Sequence, residues 1–388
     1  MNKVAKYSLG VTFLFLFGAA LFASAAELDI GFRVFDGTEV VKIAAEQPAV
    51  SPLRIAKGGT VYGLALVDPG DPNASKIRIK TANNGIKALK KFTPAPLCTG
   101  GAFAAGGSST NGIAFDSVTN SIWAANIDTI SKININNGSA TTYSPTLGYF
   151  PTGVAFDSVT NSVWVVSTPF FGGSPGIVSK ININTGAKTD YAVGTSPVNV
   201  AFDNVTNSVW VTNSGPGTVS KININTGART DYAVGTSPSG IAFDNVTNSI
   251  WVSLDTPTNS VRKVNINNGT GVNYATGLRP FGVAFDNVTN SVWVANFDSN
   301  TVSKININTG SRTDYAVGVG PFNVAFDSFS NSIWVTNFNS NTVSKVNINT
   351  GARTDYAVSG PTSVVFDSVN NAMWIANPNS NTVTKMCI

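Results

Sequence analysis

The chain has 388 residues, of which 43% are hydrophobic and only 12% charged, and its formal net charge is +4. So small a charge excludes nucleic-acid or membrane binding by bulk electrostatics. Histidine is absent, which excludes Ser-His-Asp and Cys-His catalysis and any His-ligated metal.

Taken from the start, Lys3 and Lys6 precede the apolar run SLGVTFLFLFGAALFA, and Ala23-Ser24-Ala25 matches an A-x-A processing site. Residues 1–25 therefore read as a signal peptide. The run is short for a membrane span, and nothing later resembles one. The mature protein is expected to be secreted, periplasmic or at the cell surface. Residues 39–50, with the apolar stretch EVVKIAA, read as a lone strand. Residues 51–93 read as a worn copy of the repeat that follows: Tyr62 stands in the place of its tryptophan, and Asn84-Gly85 supplies a turn. Six basic residues fall between Lys76 and Lys91 with no acid among them. They fit either a charged outer strand that resists edge pairing or a patch for an anionic surface. Only two cysteines occur, Cys98 and Cys387. Export permits a bond between them that would tie the two ends together, and the sequence leaves the pairing open.

From residue 111 to residue 388 the chain repeats itself. A Phe-Asp pair recurs at Phe115-Asp116, Phe156-Asp157, Phe202-Asp203, Phe243-Asp244, Phe285-Asp286, Phe326-Asp327 and Phe366-Asp367. All seven tryptophans hold one place in this register. Each unit resolves into four short runs rich in Val, Ile, Trp, Tyr and Thr, such as FGVAFD, NSVWVAN, NTVSKINI and SRTDYAV, with turn residues between them. Apolar residues on both faces mean that each sheet is sandwiched between neighbours. A period of about 40 residues with four strands describes an all-β fold, a single β-propeller of four-stranded blades spanning residues 26–388. Counting the worn copy gives eight blades, with seven as the alternative. The chain stops after a third strand, so the ring is expected to be closed by an N-terminal strand, residues 39–50.

The stretch WVANFDSNTVSKININTG (293–310) resembles the bacterial secreted propellers of the virginiamycin B lyase and YVTN type. In these, a strand ending W/Y-V-x-N is followed by N-T-V and an I-N/D-x-x-T-G turn. The likeness covers 111–388 well and 51–93 poorly. It implies the propeller fold. In the lyases a magnesium-assisted elimination opens a cyclic depsipeptide ester with a histidine as base. This chain has no histidine to take that role, so the resemblance does not carry the activity. The G-H and W-D signatures of WD repeats are missing.

Residues repeated in every blade are explained by the fold each blade needs; a ligand site should use residues that break the pattern. The repeated aspartate is expected to hold the turn after it, and the rings of Phe and Trp to pack between blades. The exceptions lie in the loops after the second strand and those entering the first. They are Tyr149, Phe150, Phe170, Phe171, Asp255, Arg279, Phe281, Phe297, Asp298, Phe322 and Phe338. Of these, Arg279, Phe281, Phe297 and Asp298 are expected on one side of a pocket between neighbouring blades. Loop aromatics suit a glycan, a peptide or a protein partner. The expectation is an exported, monomeric binding propeller without catalysis. A surface-layer-like structural part and a metal-assisted lyase or hydrolase are the alternatives. No cofactor is called for, and a divalent cation would have to be held by Asp, Glu, Asn or backbone oxygens.

Overall fold

Short β-branched and aromatic runs parted by Asn, Gly and Thr leave the backbone little choice but antiparallel hairpins. The computed structural model turns each run into a strand. It describes residues 100–388 apart from 171, 172 and 256, and before them the backbone of five short strands.

Residues 98–388 form one unit of seven four-stranded antiparallel sheets. The fifth blade is typical, with strands Pro280–Asp286, Ser291–Asn296, Thr301–Asn306 and Arg312–Ala316. The ring is closed: the Thr362 hydroxyl of the last blade donates to the Thr110 carbonyl of the first, and Ser109 N–H to Asn381 Oδ1 at 2.8 Å.

Each blade is built on its tryptophan, which is buried throughout. In the fifth, Trp293 Nε1 donates to Asp286 Oδ2 at 3.3 Å. The other oxygen of Asp286 accepts the N–H groups of Val288 and Thr289 at 2.9 and 3.0 Å, and the Thr289 hydroxyl donates to Oδ2. One carboxylate thus fixes both the turn and the indole. The indole lies against Tyr315 of the fourth strand, centroids 5.3 Å apart, and under Lys304 Nζ, 5.2 Å from the ring. That ammonium donates to the Ile348 carbonyl of the next blade at 2.9 Å. Gly351 of the turn there has φ +73°, and a Cβ on it would meet Tyr315 Cε1 at 2.6 Å. The glycine therefore serves both the left-handed turn and the seating of its neighbour's tyrosine.

Eight blades were expected and the ring has seven. Lys42–Ala44 pairs with Arg54–Lys57, and these two strands join Thr60–Leu64, Arg78–Lys80 and Ile86–Ala88 in a five-stranded sheet of a separate unit, residues 1–97. Residues 39–50 are therefore not the closing strand, and 51–93 is not an eighth blade. The last blade takes Gly101–Ala104 as its fourth strand, paired with Thr382–Cys387 from Thr382↔Ala104 to Lys385↔Gly101. Its single ring, Phe103, does the tyrosine's work: it lies 5.1 Å from Trp374 and fills the space beside Gly138. The signal peptide and Cys98 lie outside the described residues; Cys387 ends the last strand. Among the described residues no helix is long and apolar enough to cross a membrane.

The lysine that caps each indole was not foreseen from the sequence, and it has a consequence for pH. Burial pushes Lys132, Lys180, Lys221, Lys263, Lys304 and Lys345 below the ordinary lysine value of 10.5, against the pull of the nearby repeat aspartate. Between the lowered values and 10.5 the folded state binds fewer protons than the unfolded chain, so stability rises with pH in that window. Tyr143, which burial pushes above 10.0, contributes with the opposite sign once the pH passes 10. The melting temperature is expected to rise from about pH 8 to about pH 10, as measured by calorimetry. A steady fall over that range would contradict the assignment.

Candidate functional site

The antiparallel meander places the loops after the second strands and those entering the first strands at one end of the ring. Buried asparagines fix these loops. Asn296 donates to the hydroxyls of Thr301 and Ser303 at 3.0 and 2.8 Å, and its Oδ1 accepts Gly277 N–H at 3.1 Å. The first strands line the axis. Six of them break register near their start, five just after the first residue, as between Pro280 and Val283 in the fifth blade, and the second blade after Pro151. Such bulges turn side chains out of the sheet plane, here into a central channel of about 410 Å³.

At the second position of the first strands the channel wall is two-sided. Phe281 and Phe322 form one side, while Asn111, Thr152, Ser239 and Thr362 supply amide and hydroxyl groups, and Val198 completes the circle. One position deeper stand Asn199, Asn323 and Ser363, with glycines in the other four blades. The glycines are needed because the strands crowd the axis: a Cβ on Gly240 would sit 2.1 Å from the Phe281 carbonyl oxygen. None of the residues lining the channel is charged.

The aromatic side continues outward into a second hollow of about 370 Å³, which Arg279, Phe281, Phe297, Phe322 and Phe338 line together with Asn379 and Pro378 of the last blade. Phe281 meets Phe297 edge-on, centroids 5.4 Å apart and planes at 88°, and Phe322 at 5.0 Å. The Arg279 guanidinium lies over both Phe281 and Phe297, at 5.2 and 4.9 Å. It also pairs with Asp298 at 3.5 Å and Asp255 at 4.0 Å, from blades five and four. Six of the eleven expected residues therefore meet in one cluster, and Phe338 lines the same hollow. The arginine is neutralised where it stands.

Arg279 also holds an unusual backbone conformation, φ +51°. Entering five of the other six first strands, this place belongs to Ser109, Ser196, Ser237, Gly320 and Gly360, all with positive φ; in the second blade it is Phe150, which is not among the positive-φ residues. In four of these blades the N–H donates to an asparagine of the preceding blade, Asn259 Oδ1 at 3.0 Å for Arg279, which ties the conformation to the ring. A long side chain there costs on the order of 1 kcal/mol against glycine. Strain of this kind collects at functional sites.

Tyr149, Phe150 and Phe170 form a separate cluster on the second blade. Phe150 and Phe170 lie 3.9 Å apart, and the Tyr149 hydroxyl donates to the Pro175 carbonyl at 3.3 Å. They stand on the longest hairpin of the ring, Tyr149–Asp157 with Ser162–Pro169, and they do not line the channel. Phe171 lies outside the described residues. The channel residues Asn111, Thr152, Asn199, Ser239, Asn323 and Thr362 were missed from the sequence. Their signal was variation at two places inside a strand that otherwise repeats. Among the described residues, no group of three or more His, Cys, Asp or Glu side chains is placed to hold a metal ion.

No family model matches the sequence, and no curated protein matches it. Solved structures do. A chain of the nidogen/laminin complex is 15% identical, with a TM-score of 0.52, covering 63% of this chain and 97% of that one. A chain of the mitotic checkpoint complex is 13% identical, with a TM-score of 0.66, covering 78% of this chain and 99% of that one. A chain of Kuenenia stuttgartiensis hydrazine synthase is also 13% identical, with a TM-score of 0.64, covering 72% and 96%. At such identities the likeness is one of fold, and the chain is a β-propeller.

Proposed function

We propose that this protein is an exported, non-catalytic binding propeller that takes a neutral glycan at the mouth of its central channel. The observation that carries the reading is the two-sided wall. Phe281 and Phe322 offer apolar surface to the C–H face of a sugar ring, while Asn111 and Thr152 across the channel, and Ser239 beside the rings, offer polar groups to its hydroxyls; Thr362, whose hydroxyl already donates to the Thr110 carbonyl, is left to accept. Ligand pockets of this make-up, mostly apolar with a few placed polar groups, fix orientation through the polar side. Charge decides between neutral and acidic sugars. Arg279 is shared by Asp255 and Asp298, so the cluster carries a net negative charge that disfavours a carboxylated ligand.

Export rests on the leader-like residues 1–25. The narrower kinship with virginiamycin B lyase and YVTN-type propellers rests on the W-V-x-N, N-T-V and I-N-x-x-T-G phrases. A purely structural role leaves the clustering of exceptions at the mouth unexplained. The test is calorimetric titration of the protein with matched neutral and uronic-acid oligosaccharides. The reading expects saturable binding of a neutral oligosaccharide, with its acidic counterpart weaker by tenfold or more, about 1.4 kcal/mol. Preference for the acidic set, or binding to peptides alone, would overturn it.

A further inference from the structure

The closed ring decides how a ligand enters the channel. All seven blades contribute to the wall, and the seam between the last and the first is bonded by Thr362 to Thr110 and by Ser109 to Asn381. A chain molecule seated inside is therefore encircled and arrives by one of its ends. The deep end of the lining is aliphatic: Ile113, Val154, Ile241, Val283 and Val364, each no more than 9% exposed. A sugar chain pushed past this level would bring its hydroxyls against side chains that offer them no hydrogen bond, which is unfavourable. For a polar ligand the channel is a cup.

Just above that floor, at the level of Gly112, Gly153, Gly240 and Gly282, three blades depart from glycine with Asn199, Asn323 and Ser363. The crowding that keeps the other four to glycine is severe: a Cβ on Gly112 would stand 2.5 Å from the Thr152 carbonyl oxygen, and one on Gly282 2.6 Å from Asn323 Cα. Blade architecture makes little use of the three side chains. Asn323 engages the Thr336 hydroxyl through its backbone N–H and carbonyl, at 2.9 and 3.4 Å. Among the described residues nothing bonds its side-chain amide or the Ser363 hydroxyl. Asn199 accepts the Val200 N–H on its Oδ1 at 2.8 Å, and among the described residues its side-chain NH2 donates to none. The third blade faces the sixth and seventh across a ring of seven. Polar side chains thus stand on opposite sides of the axis at one depth.

We propose that the channel recognises the end of a neutral glycan chain, with Asn199, Asn323 and Ser363 reading the hydroxyls of its terminal sugar. This rests on the glycan reading above and adds which part of the chain is bound. The cup of about 410 Å³ lies at the low end of the range of small-ligand pockets, roughly 300–1,000 Å³, so it holds a terminus and not a length of polymer. The rest of the chain leaves through the mouth, where Phe281 and Phe322 wall both the channel and the outer hollow. That hollow, with Phe297, Phe338 and Asn379, receives the units that follow. A sugar inside a chain continues in both directions and cannot seat in a cup open at one end. Polar groups placed to bond a hydroxyl also reject a ligand that lacks it, because they are then left unpaired.

Calorimetric titration of the full-length protein tests this with linear neutral hexasaccharides of the gluco, manno, xylo and galacto series, and with a long soluble chain of each series that binds. End recognition expects one protein per chain at both lengths, with molar affinities within about threefold of each other. The two ends of the hexasaccharide are then blocked separately, the non-reducing end by O-methylation and the reducing end by reduction to the alditol. One of these changes, and not the other, should weaken binding by about tenfold or more. Asn323→Ala and Ser363→Ala should each weaken hexasaccharide binding roughly tenfold with an unchanged melting temperature. Several proteins per long chain, full affinity with either end blocked, or unchanged binding by both variants would overturn end recognition and leave the glycan reading standing. Saturable binding of no neutral hexasaccharide would overturn both.

Discussion

Replacing Asp286 by alanine is expected to lower the unfolding free energy by about 3–4 kcal/mol. The carboxylate accepts four hydrogen bonds: two backbone N–H groups, the Thr289 hydroxyl and Trp293 Nε1. Water can reach the turn and replace part of the lost bonding. It cannot reach the indole, which is fully buried between Tyr315 and Lys304, so its N–H would be left without an acceptor. A buried orphan donor costs about 1–3 kcal/mol, and bonds to a charged acceptor contribute about 1.5–3. Asp286→Asn keeps an oxygen for the turn and should lose roughly half as much. Asn287→Ala, at an exposed turn position, should stay within about 0.5 kcal/mol. Urea unfolding followed by tryptophan fluorescence reads all three. A loss below about 1 kcal/mol for Asp286→Ala would mean that the repeated carboxylate is not a fold element, and a ligand role for the ring of aspartates would reopen.

Much of this was legible in the sequence because the repeat acts as its own alignment. The four-strand blade, the turn-holding aspartate and the buried tryptophan follow from residues that recur at fixed offsets, and the structure has all three. What failed was the count and the seam. Residues 51–93 have strand-like runs and an Asn-Gly turn, but local resemblance to a blade says nothing about which sheet a strand joins. The true fourth strand of the last blade, GAFA at 101–104, lacks the T-D-Y-A phrase. Only the placing of one ring betrayed it: Phe103 stands 12 residues before Phe115, much as Tyr274 stands 11 before Phe285. The lysine caps were hidden because a lysine in an exposed-looking strand gives no sign that its ammonium reaches a carbonyl of the next blade.

The site divided in the same way. Loop exceptions were visible as departures from the repeat, and Arg279, Phe281, Phe297, Asp298, Asp255 and Phe322 do meet. Nothing in the residue pattern ranks them against the second-blade cluster of Tyr149, Phe150 and Phe170, since loop register says nothing of distance to the axis. The polar side of the channel was hidden inside first strands, where the bulge that aims Thr152 or Ser239 inward has no sequence mark of its own.

The second large effect follows from that division. Phe281 and Phe322 bring the only aromatic rings to the channel wall among its described lining residues, whereas Phe170 lies half exposed on its hairpin, tilted against Phe150. Truncating both channel rings removes the apolar half of the site and leaves the blades intact, because neither ring belongs to the packing around a tryptophan. Central aromatic contacts of this kind carry about 1–2 kcal/mol each or more in binding. The most direct measurement is therefore the calorimetric affinity of one neutral oligosaccharide for three proteins: wild type, Phe281→Ala/Phe322→Ala, and Phe170→Ala. A channel-mouth site predicts a loss of about 100-fold for the double variant, with an unchanged melting temperature, and less than about threefold for Phe170→Ala. Equal affinity of the double variant and the wild type, or a large loss with Phe170→Ala alone, would contradict it.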